Sequence, residues 1–152
     1  MLIRWRRGAV PGVWAGRARH WYDGDTLSIE KGGSGVVVRL WGIDAPEWGQ
    51  AGAGAAWREL RLCTTGVPVV VWPVAFDRYG RVVARLATYE HPDVGLTLLA
   101  RGVVWWEYRF AWREREYNEA QRDARSAGLG LWTSAPYGFA PWVWRQRRRI
   151  GV

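Results

Sequence analysis

Val36-Val-Val-Arg-Leu-Trp-Gly-Ile43, followed by Asp44-Ala-Pro-Glu47, is the most informative stretch of this chain. The run of valines and other apolar residues predicts a β-strand, and Pro46 ends it because proline cannot donate to the ladder of a sheet. In extended backbone residues 39, 41 and 43 share one face. We therefore expect this strand to place Arg39 beside bulky apolar groups, an arrangement with few purely structural explanations.

Turn signals on both sides of this stretch divide the first half of the chain into strands. Tyr22-Asp-Gly24 predicts a turn, and Gly32-Gly-Ser-Gly35 predicts a flexible hairpin connection. A second hairpin is expected around Asp77-Arg-Tyr-Gly80, and Pro68 and Pro73 favour a position near a sheet edge for its first strand. The predicted strands cover residues 25–29, 36–43, 67–76 and 81–89.

Apolar residues at helical spacing predict three α-helices, at residues 51–63, 94–101 and 112–127. The order is three hairpin-connected strands, a helix, two more strands and further helices, which is typical of an α+β protein. A five-stranded Greek-key barrel of the oligonucleotide-binding (OB) type, with three α-helices, fits this order. Four tryptophans are expected in the core: Trp41, Trp57, Trp72 and Trp132.

The length of 152 residues suits a single core. We expect a barrel domain over residues 1–132, including a basic N-terminal arm, and an irregular tail rich in tryptophan and arginine over 133–152. The run Arg145-Gln-Arg-Arg-Arg149 leaves two interpretations open. It adds affinity for nucleic-acid backbones that weakens with salt, or it is a disordered end that keeps the protein soluble.

Composition excludes several classes of site. The single cysteine, Cys63, excludes an internal disulfide, and two histidines make a histidine-based zinc site unexpected. No apolar run is long enough to span a bilayer, so we expect no membrane partner. The basic start, residues 1–8, is not followed by an apolar stretch, which argues against a secretory signal. The cytoplasm and a mature or unconventionally exported form both stay open as locations.

The net charge of +8 and the pI of about 10.5 make nucleic acid the first partner to consider, because a basic surface concentrates polyanions. Carboxylates near strand ends suit a hard cation. Asp25 and Asp44 can each supply one oxygen, and the main-chain carbonyl of Ala45 can supply a third. With so few protein ligands, water and a substrate phosphate must complete the coordination, as in a catalytic site.

Hydrolysis of a phosphodiester needs an activated water and neutralisation of charge on the phosphoryl oxygens. Glu47 can orient the water and take its proton. Arg39 and Arg81 can hold the phosphate through charge-assisted hydrogen bonds, for which the planar guanidinium is suited. These residues therefore predict a phosphodiesterase.

Three strings in this order resemble the staphylococcal nuclease (thermonuclease) family: Asp23-Gly-Asp-Thr26, Arg39-Leu-Trp-Gly-Ile-Asp-Ala-Pro-Glu47 and Asp77-Arg-Tyr-Gly-Arg81. The resemblance runs from about residue 16 to residue 132. Pro141-Trp-Val-Trp-Arg145 is similar to a tail found in many bacterial members. The combination in order is far more specific than any one string.

The resemblance implies a monomeric nuclease of DNA and RNA that leaves 3′-phosphate ends. It implies calcium as the ion at Asp25, Asp44 and the Ala45 carbonyl, with another divalent ion as the alternative. It adds Tyr79 and Tyr108 as substrate-binding residues that line the pocket, and Asp23 as a support of the metal site.

Two other functions are compatible with the sequence. Barrels of this type also bind oligonucleotides without cleaving them, so a non-catalytic oligonucleotide-binding module is the main alternative. A protein-interaction domain with exposed tryptophans is the other. Degenerate domains would lose carboxylates or arginines from the site, whereas Asp25, Arg39, Asp44, Glu47 and Arg81 are all present. The complete set favours an enzyme.

Overall fold

The chain begins with antiparallel strands that carry the first part of the site. The computed structural model describes residues 9–134 and 137–151, so most of the predicted basic N-terminal arm lies outside it. Strands β1 and β2 pair with each other, and β2 pairs with β3. A two-residue strand, β4, follows. Their bounds are β1 Trp14–Trp21, β2 Thr26–Lys31, β3 Ser34–Leu40 and β4 Ile43–Asp44.

A second hairpin closes the barrel. It consists of β5 (Pro68–Phe76) and β6 (Val82–Ala87), and the strand order around the closed barrel is β1-β2-β3-β6-β5. The pair β3–β6 is parallel and the other pairs are antiparallel. This mixed five-stranded barrel confirms the predicted OB-type α+β fold.

The barrel interior is filled by alternate residues of each strand. In β3 the side chains of Val36, Val38 and Leu40 are buried, whereas Arg39 points the opposite way and is partly exposed. The predicted continuous strand over residues 36–43 is wrong, because β3 ends at Leu40 and Gly42 adopts a φ of 78°; Ile43 is buried, whereas Arg39 is partly exposed. That left-handed conformation interrupts the alternation of the strand.

Two expectations concern β5, and the first is met only in part. The strand lies in the closed barrel, but it pairs with β1 only as far as Val71, and residues 72–76 pair with β6 alone. Pro68 is its first residue, and Pro73 lies in the part with one neighbour, at an irregularity between Pro73 and Ala75. Trp72 is not in the core but is half exposed, because it alternates with the buried Val71.

The three predicted helices are present within a few residues of the expected bounds, as α1 (Ala53–Thr64), α2 (Val94–Ala100) and α4 (Arg115–Ser126). Helix α1 buries Cys63 as a small apolar group. Between α2 and α4 lie the two-residue strand β7 (Trp105–Trp106) and the short helix α3 (Tyr108–Ala111). No helix in the described part of the chain is long and apolar enough to cross a membrane.

Two features position the last part of the chain. Strand β7 pairs with β4, which aligns Asp44 with Trp105. Helix α5 (Pro141–Arg149) follows a single 3₁₀ turn at Gly130–Trp132. The prediction of an irregular tail is therefore wrong over α5, where Pro141 occupies the first turn, a place in which its missing N–H costs no helical hydrogen bond. The division into domains at residue 132 stays a prediction.

Candidate active site

The turn between β1 and β2 fixes the position of Asp25. Asp23 Oδ1 accepts a hydrogen bond from the Asp25 N–H at 2.9 Å. Gly24 lies so close to α1 that an added Cβ would stand 2.4 Å from the Cβ of Ala56 and 2.9 Å from that of Ala45. Because only glycine fits there, the Asp-Gly-Asp sequence holds Asp25 against the segment after β4.

The Asp25 carboxylate joins the first two sequence clusters. It is buried, and its Oδ1 accepts from the Thr26 hydroxyl at 2.8 Å while Oδ2 accepts from the Ala45 N–H at 2.8 Å. The Arg39 Nη2 atom lies 3.6 Å from Oδ2. Residues 25 and 45, which the sequence separates, are therefore neighbours in the fold.

Arg39 links the two aspartates. Its Nη2 donates to Asp44 Oδ1 at 3.2 Å, and its Nη1 donates to the carbonyl oxygens of Leu40 and Ile43, each at 3.1 Å. The side chain keeps 19% of its surface exposed, so one side of the guanidinium can meet an anion from solvent.

Asp44 is the most buried carboxylate of the cluster, with 1% of its surface exposed. A second arginine, Arg145 of α5, forms bidentate hydrogen bonds with this carboxylate: Nη2 donates to Oδ2 at 2.7 Å and Nη1 donates to Oδ1 at 3.2 Å. The same Nη1 donates to Glu47 Oε1 at 2.6 Å. Arg145 therefore bridges the two carboxylates.

Glu47 lies on the open side of the cluster. Its side chain is 40% exposed, in contrast to the buried aspartates. Its N–H donates to the Gln50 side-chain oxygen at 3.1 Å, and the Gln50 amide in turn donates to the carbonyl of Phe139, just before α5. The loop that carries Glu47 is thus tied to the C-terminal segment.

Arg81 and Tyr79 lie on the turn between β5 and β6. Arg81 Nε donates to Asp77 Oδ2 at 2.5 Å, and its N–H donates to Oδ1 of the same carboxylate at 3.0 Å. The exposed ring of Tyr79 lies 5.4 Å from the Arg81 guanidinium carbon. In the described residues no hydrogen bond or ion pair joins Arg81 to Asp44 or Glu47.

The backbone nevertheless places Arg81 directly before β6, the strand next to that of Arg39. The parallel pair β3–β6 sets Val38 opposite Val82 and Arg39 opposite Val83. Arg81 immediately precedes this register, so Arg39 lies on one of two adjacent strands and Arg81 directly before the other. Its side chain would have to exchange Asp77 for another anion to join the cluster.

Tyr108 is the first residue of α3 and is half exposed. Its ring lies 5.9 Å from that of Trp142 in α5. Trp142 also contacts Trp105, with ring centroids 5.9 Å apart, and Arg109 lies over it at 4.9 Å. Aromatic contacts therefore seat α5 beside the predicted substrate tyrosine.

Known proteins match this chain over most of its length. The family model for staphylococcal nuclease homologues matches residues 37–134. The chain is 33% identical over 134 residues to a micrococcal nuclease of Shigella flexneri, covering 82% of this chain and 76% of that protein. It is 30% identical over 139 residues to an uncharacterized endonuclease of Escherichia coli, covering 88% and 86%. The chain belongs to the staphylococcal nuclease family.

A similar protein of Haemophilus influenzae, an uncharacterized endonuclease, is 31% identical over 131 residues, covering 86% of this chain and 72% of that one. Membership of the staphylococcal nuclease family confirms the resemblance that the three strings carry. It identifies the chain as a nuclease-type hydrolase, which favours the enzyme over the non-catalytic module.

In this staphylococcal nuclease family member, burial and neighbouring charges shift the pKa values of three aspartates in the site differently. Burial acts to raise the pKa of Asp25, but the Arg39 charge and hydrogen bonds bring it below its ordinary value. Burial raises the pKa of Asp44, and the Asp25 charge adds to this, although Arg145 opposes it. Burial and the Asp25 charge raise the pKa of Asp23 to about 7. Asp25 is therefore the aspartate that ionises most readily.

The donor set of this nuclease family site fits a cation with few protein ligands. Within residues 9–134 and 137–151, no group of three or more His, Cys, Asp and Glu side chains is arranged to hold a metal ion. Asp25 and Asp44 lie within reach of the same guanidinium, which shows that their oxygens converge. The Arg145 guanidinium between Asp44 and Glu47 shows that positive charge is accommodated there.

Arg145 is the residue of this cluster that the sequence does not predict. Pro141-Trp-Val-Trp-Arg145 contains a usable signal, because Trp142 and Arg145 are three residues apart and so share one face of a helix. A nine-residue helix with four arginines has too little apolar periodicity to stand out.

Proposed function

We propose that this nuclease hydrolyses phosphodiester bonds of DNA and RNA with a divalent cation, calcium, held by Asp25, Asp44 and the carbonyl of Ala45. The observation that carries the proposal is the cluster of Asp25, Arg39 and Asp44, joined at 3.2–3.6 Å, with Glu47 on its solvent side. Bound there, the cation would neutralise charge on the phosphate.

Glu47 is the proposed general base. It is the exposed carboxylate of the cluster, so a water molecule can reach it, whereas Asp25 and Asp44 are buried. Glu47 takes a proton from water, and the water oxygen forms a bond to phosphorus. The bond from phosphorus to the 5′ oxygen breaks, and that oxygen takes up a proton, which leaves a 3′-phosphate and a 5′-hydroxyl. A positioned base of this kind contributes about 10²–10⁴-fold to a rate.

Arg39 and Arg81 are the proposed phosphate ligands. The Arg39 guanidinium is held by two carbonyl oxygens and Asp44, so it is already oriented before substrate binds. Arg81 would release Asp77 and bind a phosphoryl oxygen, exchanging one anion for another.

The remaining proposed roles are less direct. Tyr79 and Tyr108 are exposed aromatic side chains, which suits contact with a nucleoside or phosphate. Asp23 supports the metal site by accepting the Asp25 N–H, without reaching the cation itself.

A cleavage assay tests these roles. Single-stranded DNA and RNA are incubated with the protein and either calcium or a chelator, and the end groups are identified. We expect calcium-dependent cleavage to 3′-phosphate ends, a fall in kcat of about 10²–10⁴-fold in Glu47→Gln, and a loss with partly retained binding in Arg39→Ala. Glu119→Gln, on the exposed face of α4, is the matched control and should cleave normally.

Two results would contradict the proposal. Cleavage unaffected by Glu47→Gln would remove Glu47 as the base. Tight oligonucleotide binding without cleavage, with calcium or any other divalent ion, would favour the oligonucleotide-binding module instead.

A further inference from the structure

Helix α5 is anchored on the active site by contacts outside the carboxylate cluster. Ala140 and Pro141 are buried at its start, and the Trp142 ring packs against aromatic rings of β7 and α3. The Gln50 side chain holds the carbonyl of Phe139. These contacts aim the next turn of α5, and with it Arg145, at the site.

The Arg145 guanidinium occupies both carboxylate oxygens of Asp44, which the proposed cation needs, and one oxygen of Glu47, the proposed base. Both oxygens of Asp44 accept from Arg145, at 3.2 and 2.7 Å, and Glu47 accepts at 2.6 Å. The charge balance agrees with this geometry. When Arg145 is in place, three carboxylates (Asp25, Asp44 and Glu47) lie beside two guanidinium groups. When Arg145 withdraws, only the guanidinium of Arg39 remains.

We propose that Arg145 sets the metal affinity of this nuclease, because its guanidinium competes with the cation for Asp44 while it also holds Glu47, the proposed base. The inference rests on the proposed function, since it takes the cation site to include Asp44. Arg145 is a positioning residue: it touches the carboxylates rather than the reacting atoms.

The competition follows from two properties of the contact. A carboxylate oxygen that accepts at 2.7 Å from a guanidinium must give up or share that hydrogen bond to bind a cation. A cation that can bind only molecules in which Arg145 has withdrawn has its affinity reduced by the fraction of such molecules. If Arg145 is in place in nine of ten molecules, the loss is about tenfold.

While the cation is absent, Arg145 also prevents Glu47 from acting as the proposed general base. The Glu47 oxygen that accepts from the guanidinium at 2.6 Å is occupied by that donor, so it is not open to a water molecule. Withdrawal of Arg145 therefore frees the base and opens Asp44 in a single movement.

Calcium affinity, measured by titration calorimetry without nucleic acid, tests the inference. The variants are Arg145→Gln, which removes the charge and most of the donors, and Arg145→Lys, which keeps the charge but cannot bridge the carboxylates in two-pronged fashion. Arg148→Gln is the matched control, because Arg148 is exposed on the same helix and forms no ion pair in the described part of the chain. Circular dichroism and thermal unfolding in chelator are recorded for every protein.

We expect Arg145→Gln to bind calcium about tenfold more tightly or better, Arg145→Lys to lie between it and the parent, and Arg148→Gln to match the parent. The metal-free Arg145→Gln protein should unfold at a lower temperature than the parent, and calcium should raise that temperature more than it does for the parent. Should Arg145→Gln fail to fold, tighter binding by Arg145→Lys decides the same question.

Equal or weaker calcium binding by both Arg145 variants would overturn the inference and leave Arg145 as a structural ion pair, while the proposed metal site would stand. Absence of calcium binding by the parent and by every variant is a different result. It would contradict the proposed cation site itself, and the inference with it.

Discussion

Arg145 Nη2 donates to Asp44 Oδ2 at 2.7 Å, across 101 residues of chain. The active site therefore combines distant parts of the sequence: Asp44 lies in β4, and Arg145, which binds it, lies in α5. Because Asp44 is almost completely buried, water screens this ion pair less than it would screen a pair of two exposed side chains.

Gly24→Ala should lower both stability and activity. Its new Cβ would overlap the Cβ of Ala56 and crowd that of Ala45, so α1 or the turn must shift. Overpacking of this kind costs about 1–3 kcal/mol, measurable by urea unfolding. The displaced turn would also weaken the hydrogen bond from Ala45 to Asp25, and cleavage should slow.

Gly12→Ala is the control for this substitution, because nothing lies within 4 Å of an added Cβ at that position. It should leave unfolding and cleavage unchanged. Equal stability of the two variants would show that the contact of Gly24 with α1 is not tight in solution.

Tyr117→Phe should destabilise the protein without altering the site. The Tyr117 ring is buried, and its hydroxyl donates to both oxygens of Asp93 at 2.9 Å. Burial raises the pKa of this hydroxyl, so it stays a donor at alkaline pH. Loss of a hydrogen bond to a charged group costs about 1.5–3 kcal/mol in unfolding free energy.

The fully exposed Tyr89 provides the comparison. Tyr89→Phe should unfold as the parent does, and the cleavage rate per folded molecule should be the same in both variants. A Tyr117→Phe protein as stable as the parent would mean that Asp93 is satisfied by its other partners, Arg85 and the Leu96 N–H.

The barrel strands and the centre of the site can be predicted from sequence because each is specified by residues that lie close together in the chain. Alternating apolar residues specify the strands of the barrel, and Arg39, Asp44 and Glu47 lie within one short segment. A one-residue conformation escapes such patterns: Gly42 at a φ of 78° interrupts the extended run, so the strand does not continue to Ile43 as predicted.

Long-range contacts set the other limit. The ion pair of Asp44 with Arg145 depends on how α5 docks, and docking depends on Trp142 meeting Trp105 and Tyr108. No periodic pattern of residues in the sequence indicates these long-range contacts. Arg81 shows the converse: its position in a string suggests a role in the site, whereas the structure pairs it with Asp77.

The last turn of α5 offers a test of the two interpretations of the basic tail. Arg148 and Arg149 are exposed there, whereas Arg145 is partly buried against the carboxylates. In chelator, to prevent cleavage, replacement of both by glutamine should weaken duplex binding and flatten the plot of log K against log salt by about 0.9 per lost phosphate contact. Replacement by lysine should keep the slope. An unchanged slope in the glutamine variant would show that these arginines do not contact the nucleic-acid backbone, and would favour the interpretation that they keep the protein soluble.

Asp23 should give the metal-free protein a characteristic dependence of stability on pH. Its pKa in the folded protein is about 7, raised by burial and by the Asp25 charge from its ordinary value of 3.8. Between these two values the folded state keeps a proton that the unfolded chain has lost. Stability from this group therefore falls as pH rises from about 4 to 7 and is level above that.

Asp23→Asn removes the charge and keeps an oxygen that can accept the Asp25 N–H. In chelator, its unfolding free energy should exceed that of the parent at pH 8, and the difference should shrink steadily towards pH 4, where Asp23 is protonated in both states. Urea unfolding at intervals across this range measures the difference. A difference that is constant with pH would show that the carboxylate of Asp23 is not the titrating group, because only a proton retained by the folded state can produce that slope.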